Sequence, residues 1–249
     1  MAKAICCAIQ KGGTGKTTTS GNLGRILARK ARVLLVDADP QGSLTSWLLT
    51  TPPDHELADI LQGQVKLAEA LVPLGKDDAL ALVPTFGIGG HLRNFAETTL
   101  EKKPFICADL VSEAGRLGFD IVLFDTHPGD SRLERAVLIA CLEVVVPVTL
   151  EYFSIDGIEI FKTFISEIAQ DFRHTIRADK LVLSMVNRSF RRHGIYEERA
   201  RALGYQIFEV MQTSRIPEAQ MVHQFLSDYD PASRVIPELE RLAGALLEA

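Results

Sequence analysis

The sequence predicts a doubly wound α/β fold, in which a mostly parallel sheet carries helices on both faces. Apolar runs of strand length recur along the chain, several of them without alternation, as strands covered on both sides require. Helically patterned stretches lie between these runs, which makes the connections parallel crossovers. With 249 residues, 47% of them hydrophobic and 24% charged, the chain matches the globular average and reads as one domain, residues 1–249.

The first expected strand, Ala4–Ile9, runs into a glycine-rich loop, and a helix over Thr17–Arg29 opens directly behind that loop. Further strands are expected over Val33–Val36, Leu80–Val83, Ile121–Phe124, Val144–Val148, Leu181–Val186 and Ile207–Met211. Helices are expected over Pro104–Arg116, Ile155–Phe172 and Tyr196–Leu203. Pro52 and Pro53 start a loop, and no repeat, low-complexity segment or Gly/Ser linker divides the chain. The carboxyl-terminal PELERLAGALLEA reads as an amphipathic helix packed on the body, with acids in place of lysines on its polar face, so it lacks electrostatic attraction to anionic lipid.

Composition narrows the classes. Cys6, Cys7, Cys107 and Cys141 show no paired metal spacing, and adjacent Cys6 and Cys7 point to opposite faces of a strand, so buried free thiols are expected. The segment MAKAICCAIQ is too short for a signal peptide, and no apolar run reaches the roughly 18 residues that span a bilayer, which implies a cytoplasmic protein with no membrane partner. The formal net charge is −5, yet Arg173 to Arg215 holds nine Lys/Arg against four Asp/Glu. A basic patch on an acidic body follows.

The stretch GTGKTT follows a strand and opens a helix, the context in which a glycine loop wraps backbone N–H groups around phosphate oxygens. Gly12, Gly13 and Gly15 allow close approach of backbone to ligand. Lys16 would reach the β and γ phosphates as a point charge, Thr17 would ligate Mg²⁺, and Thr18 would donate to the α phosphate. The loop departs from the ordinary GxxxxGK[ST] pattern, because Gln10 stands at the first glycine and Lys11 follows it.

With that departure, Lys11-Gly12-Gly13-Thr14-Gly15-Lys16-Thr17 resembles the deviant phosphate loop of the ParA/MinD family of P-loop NTPases. The resemblance implies ATP and Mg²⁺ as cofactors and a homodimer formed on ATP binding, in which Lys16 serves its own nucleotide and Lys11 reaches the phosphates held by the partner. A cation supplied by the second chain resembles an arginine finger, so hydrolysis would require dimerisation.

In VLLVDADPQGSLTSWL, Asp37 and Asp39 end a buried strand at the sheet's ligand-binding edge. The segment resembles the family's switch I, which implies that Asp39 orients or activates the attacking water and Asp37 helps hold the magnesium shell. In FDIVLFDTHPGDSR, Asp125 ends a second strand as a Walker B acid does and would bind the metal through water. Thr126 to Gly129 resembles switch II, usually D-x-P-P, with His127 replacing the first proline. The family uses no histidine there, and phosphoryl transfer relies mostly on positioning and charge, so His127 is set aside as a general base. VVVPVTLEYFSIDGI resembles the family's dimer-face segment, and the resemblance places Asn187 on the adenine edge and Ile216-Pro217 beside the base.

Among the branches, iron proteins carry cluster cysteines near the switch loops, whereas Cys107 and Cys141 lie outside DTHPGD. MinD-like proteins end in a basic helix. What remains resembles the ParA/Soj branch, whose ATP dimers bind nucleoid DNA non-specifically and move plasmids, chromosomes or other cargo. That implies DNA contacts from Arg188, Arg191, Arg192 and Arg215, a ParB-like activator that stimulates hydrolysis, and nucleoid association. The alternative is a MinD-like or orphan positioning ATPase that docks protein or membrane cargo without DNA; a metabolic ATPase ranks last.

Overall fold

The computed structural model describes residues 2–75, 78–98, 100, 103–149, 155–187, 198 and 200–248. Eight strands form one sheet: β1 (Lys3–Cys7), β2 (Val33–Ala38), β3 (Val72–Pro73), β4 (Leu80–Val83), β5 (Ile121–Thr126), β6 (Glu143–Thr149), β7 (Arg177–Val186) and β8 (Gln206–Met211), in the order β3-β4-β2-β5-β1-β6-β7-β8. All neighbours are parallel except β3, which runs antiparallel to β4. The seven expected strands are present, and β3 is the addition. Its two residues include a proline, which is tolerated there because β3 is an edge strand.

Side chains alternate between two cores, as the period of a strand demands. One face carries Ala4, Cys6, Leu34, Val36, Val122, Phe124, Val144 and Val146 under α3 (Leu57–Gln62), α6 (Ile106–Arg116), α7 (Arg132–Ala140) and α8 (Ile155–Asp171). The other carries Ile5, Cys7, Val33, Leu35, Leu123 and Val182 under α1 (Lys16–Leu27), α2 (Ser43–Leu48) and the carboxyl-terminal α11 (Ile236–Glu248). Cys6 and Cys7 thus face opposite layers, and all four cysteines are buried free thiols. Each fully buried Val or Leu contributes about 1.5–3 kcal/mol. Helix α1 approaches the sheet closely at Gly24, where an added Cβ would stand 2.6 Å from Leu35 Cδ2.

The short helices α2, α3, α4 (Leu67–Ala70), α5 (Leu92–Thr98), α9 (Arg215–Met221) and α10 (Leu226–Tyr229) complete the layers. The expected helices at Thr17–Arg29, Pro104–Arg116 and Ile155–Phe172 correspond to α1, α6 and α8. The one expected over Tyr196–Leu203 falls partly outside the described residues. Helix α11 buries Ile236, Leu239, Leu242, Ala243 and Leu246, the packed terminal helix that its pattern suggests. Among the described residues no helix is long and apolar enough to cross a membrane.

Candidate active site

Strands β1, β5 and β2 lie side by side and parallel, so the loops that follow them open on the same edge of the sheet. In register, Asp125 of β5 stands beside Cys7 of β1 and beside Asp37 of β2. Three segments far apart in sequence therefore converge: the loop 8–15, the turn 37–42 and the loop 125–130.

The first loop enters α1 through Gly15, whose φ of 88° is left-handed and whose Cβ, if present, would lie 3.1 Å from Ser184 Oγ. Gly15 supplies no side-chain cap, and the first turn of α1 holds no acid, so the leading N–H groups of this helix are left for an anion. Lys16 is buried, and its Nζ donates to the Lys11 carbonyl oxygen at 2.9 Å. Burial lowers its pKa, while Asp125, Glu134 and Asp39 act in the opposite direction. Lys11 itself is exposed. The Thr14 hydroxyl is buried with no hydrogen-bond partner among the described residues.

Loop residues 12–18, together with Asp39, Gln41, Ser43, His127 and Pro128, enclose a cavity of about 260 Å³. Gly15 and Thr18 also line a second, more apolar cavity of about 290 Å³ with Ser184, Met185, Val210, Met211, Ile216, Pro217 and Gln220. A polar chamber at a helix head thus adjoins an apolar one, as an anionic group joined to a flat apolar ring requires. Pro217, expected beside the base, lines the second chamber. Asn187 follows the end of β7, is exposed, and does not line it; Ser184 and Met185 of the same strand do. Gln220 Nε2 reaches Thr18 Oγ1 at 3.3 Å and ties the two chambers together.

The acids differ sharply from one another. Asp125 is fully buried; its Oδ1 accepts from Ser20 Oγ at 3.0 Å, and its Oδ2 has no partner among the described residues. Burial pushes its pKa up to about 7, against the pull of the Thr17 and Ser20 hydroxyls. An orphaned carboxylate oxygen beside a threonine hydroxyl suits the hard, oxygen-seeking Mg²⁺. Asp37 is also fully buried, but its Oδ2 accepts from Thr45 N at 2.8 Å and Thr45 Oγ1 at 2.7 Å, and its Oδ1 from Asp39 N at 3.3 Å. Burial and the neighbouring Asp125 push it up to about 8. Both Asp37 oxygens thus anchor switch I, one through Asp39 N and the other through Thr45. Asp39 Oδ1 accepts from Gln41 N at 2.8 Å and meets His127 Nδ1 at 2.9 Å.

Glu134, in the first turn of α7 behind the Ser131 N-cap, is buried with both carboxylate oxygens unpartnered among the described residues. Burial pushes it up to about 8, and Lys16 opposes that rise. Sequence reasoning missed Glu134, Thr45 and Ser20. Ser20 was within reach, since it follows Lys16 by four residues and so shares its helix face.

Arg188, Arg191 and Arg192 lie outside the described residues. Arg215 begins α9, more than half exposed, and pairs with Glu218 at 2.8 Å and Asp230 at 3.8 Å. Its charge is therefore partly offset by its own neighbours.

A parallel sheet with a phosphate-loop helix head and two strand-end acids defines a P-loop nucleoside triphosphatase. The profile of the AAA domain family matches residues 2–178. A ParA family protein of Chlamydia trachomatis is 34% identical over 74% of this chain and 72% of its own length. The chromosome-partitioning ATPase Soj of Thermus thermophilus is 30% identical over 98% of this chain and 95% of its own. Among solved structures, apo McdA of Cyanothece superposes with a TM-score of 0.86 at 21% identity, covering 99% of this chain and 100% of that one. Cobyrinic acid a,c-diamide synthase of Mycobacterium smegmatis, with bound ADP and magnesium, superposes with a TM-score of 0.78 at 27% identity, covering 99% and 94%. The chain belongs to the ParA family, and it is of the Soj-like, partition ATPase type.

Proposed function

We propose that this chain is an ATP-operated switch that dimerises on Mg–ATP, holds DNA without reading its sequence, and lets go after a partner-stimulated hydrolysis. The observation that carries the reading is the pairing of an uncapped helix head with an orphaned Asp125 oxygen at one sheet edge. The first takes phosphate; the second, with Thr17, holds magnesium, which when bound offsets charge on the phosphate oxygens.

The residues divide the work. Gly12, Gly13, Thr14 and Gly15 present backbone to the phosphates, with the Thr14 hydroxyl turned into the same buried space. Lys16 exchanges the Lys11 carbonyl for phosphate oxygens, and that exchange releases the segment carrying Lys11. Lys11 then reaches the nucleotide of a second copy and completes its charge stabilisation, so hydrolysis waits for the dimer. Thr18 and Pro217 border the base side. Asp39 orients water for attack on the γ phosphorus, and Asp37 holds Thr45 and thereby the start of α2.

The closed dimer aligns Arg188, Arg191, Arg192 and Arg215 on DNA phosphates, which gives binding without base readout and with a steep salt dependence. A ParB-like activator stimulates release, and the protein sits on the nucleoid. Sedimentation velocity with Mg²⁺ and a slowly hydrolysed ATP analogue tests the dimer. Wild type is expected to shift to a dimer, while Lys11→Ala keeps nucleotide and stays monomeric; an unchanged dimer contradicts the role of Lys11. A salt-titrated DNA retention assay with ATP and with ADP tests the rest, and retention unaffected by Arg191→Ala with Arg192→Ala contradicts the patch.

A further inference from the structure

We infer that His127 is a positioning residue for Asp39, a donor that this chain places in the second switch where its family carries proline. The inference rests on the reading of Asp39 as the water-orienting acid. His127 Nδ1 and Asp39 Oδ1 are 2.9 Å apart, and because a carboxylate only accepts, the ring donates. The same Oδ1 takes the Gln41 N–H at 2.8 Å. Two donors, one from each switch, converge on one oxygen of one carboxylate. Among the described residues no hydrogen bond reaches Oδ2.

This arrangement does what a single donor cannot. One hydrogen bond leaves a carboxylate free to swing about it, whereas two from different directions fix both its rotation and its tilt. Oδ2 is then held at a set angle in the cavity that the phosphate loop, Asp39 and His127 share. His127 also ties the turn after β2 to the loop after β5, so the two switches move together. Proline at this position has no side-chain donor and supplies neither effect. His127 transfers no proton in this account; it acts only through Asp39.

The test uses the full chain and five variants in steady-state ATP hydrolysis with Mg²⁺. His127→Ala and His127→Pro are expected to lower kcat about tenfold, the scale of one hydrogen bond to a charged group, with KM for ATP and the melting temperature unchanged. His127→Asn, whose amide reaches a similar position, is expected to recover most of kcat. Adding His127→Ala to Asp39→Ala is expected to cost nothing further, since the donor then has nothing to position. An unchanged or raised kcat in His127→Ala overturns the inference, as does His127→Asn failing alongside a raised KM or a lowered melting temperature. Failure of the underlying reading looks different: Asp39→Ala itself would retain wild-type hydrolysis.

Discussion

The molecule buries charge at both ends of its sheet and treats the two ends in opposite ways. At the amino edge, fully buried Glu143 meets Lys180 at 3.0 Å, Lys3 at 3.8 Å and also Arg177, and Lys180 has a second partner in Asp179 at 2.9 Å. At the carboxyl edge a single buried lysine among the described residues, Lys16, faces Asp39, Asp125 and Glu134, with Asp37 next to Asp125. Burying a charge is tolerable when it is paired and costs several kcal/mol when it is not. The amino edge closes its own ledger within the fold. The carboxyl edge carries an excess of acid with unpartnered oxygens, so it gains most from a divalent cation, and the lone lysine at a helix head still welcomes phosphate.

Four predictions bear on that contrast, from the largest effect to the smallest. Glu143→Gln removes the buried charge that three cations share at the amino edge and should cost ~3–5 kcal/mol of stability, with hydrolysis per folded molecule within about twofold of wild type; denaturant melts and a phosphate-release assay measure both. Lys16→Ala should do the reverse, lowering hydrolysis by ~10²–10³-fold with little change in the melt. If both variants damage stability and turnover alike, the division of labour between the edges is wrong. Ser20→Ala removes the bond that orients Asp125 and should weaken the Mg²⁺ dependence of nucleotide binding by ~10-fold, the usual cost of losing an outer partner of a metal ligand.

The smallest effect is on pH. Asp37, Asp125 and Glu134 hold protons in the folded state up to about 8, 7 and 8, whereas unfolded carboxylates release them near pH 4. Their stabilising share is therefore complete below the ordinary carboxylate range and is lost as pH rises through 7 to 8. Nucleotide-free melting temperature should fall between pH 6 and 8.5. Glu134→Gln should flatten that slope and raise the melting temperature at pH 8.5 by ~2–4 °C, the shift that ~1 kcal/mol gives in a domain of this size. A slope unchanged in Glu134→Gln would remove this residue from the acidic excess.

Much of the frame was legible before any coordinates. The seven expected strands are mostly apolar runs, interrupted only by Pro147, Ser184 and Glu209, and the phosphate loop is contiguous in sequence, so its chemistry needs no long-range knowledge. Strand β3 was illegible because two residues with Pro73 carry no period. The helices from α2 to α5, four to seven residues long, span too few turns to show one. At the site, the acids could be named but not told apart. Asp37 and Asp125 end similar strands, and only the register shows that Thr45 occupies the first while Ser20 leaves one oxygen of the second open. The contact of His127 with Asp39 depends on how two loops after different strands meet. Resemblance alone placed both Asn187 and Pro217 beside the base; Pro217 lines the apolar chamber, and Asn187 is exposed outside its lining. The pairing of Arg215 with Glu218 follows from helical spacing, and its contact with Asp230 does not.

The central claim is that the carboxyl edge is short of one divalent cation and completes itself with Mg–ATP. The most direct measurement is ATP affinity at pH 8, by calorimetry, with and without Mg²⁺, for wild type and Asp125→Asn. The account expects Mg²⁺ to tighten ATP more than tenfold in wild type and to leave the Asn variant nearly unchanged. Equal magnesium dependence in the two proteins would contradict it.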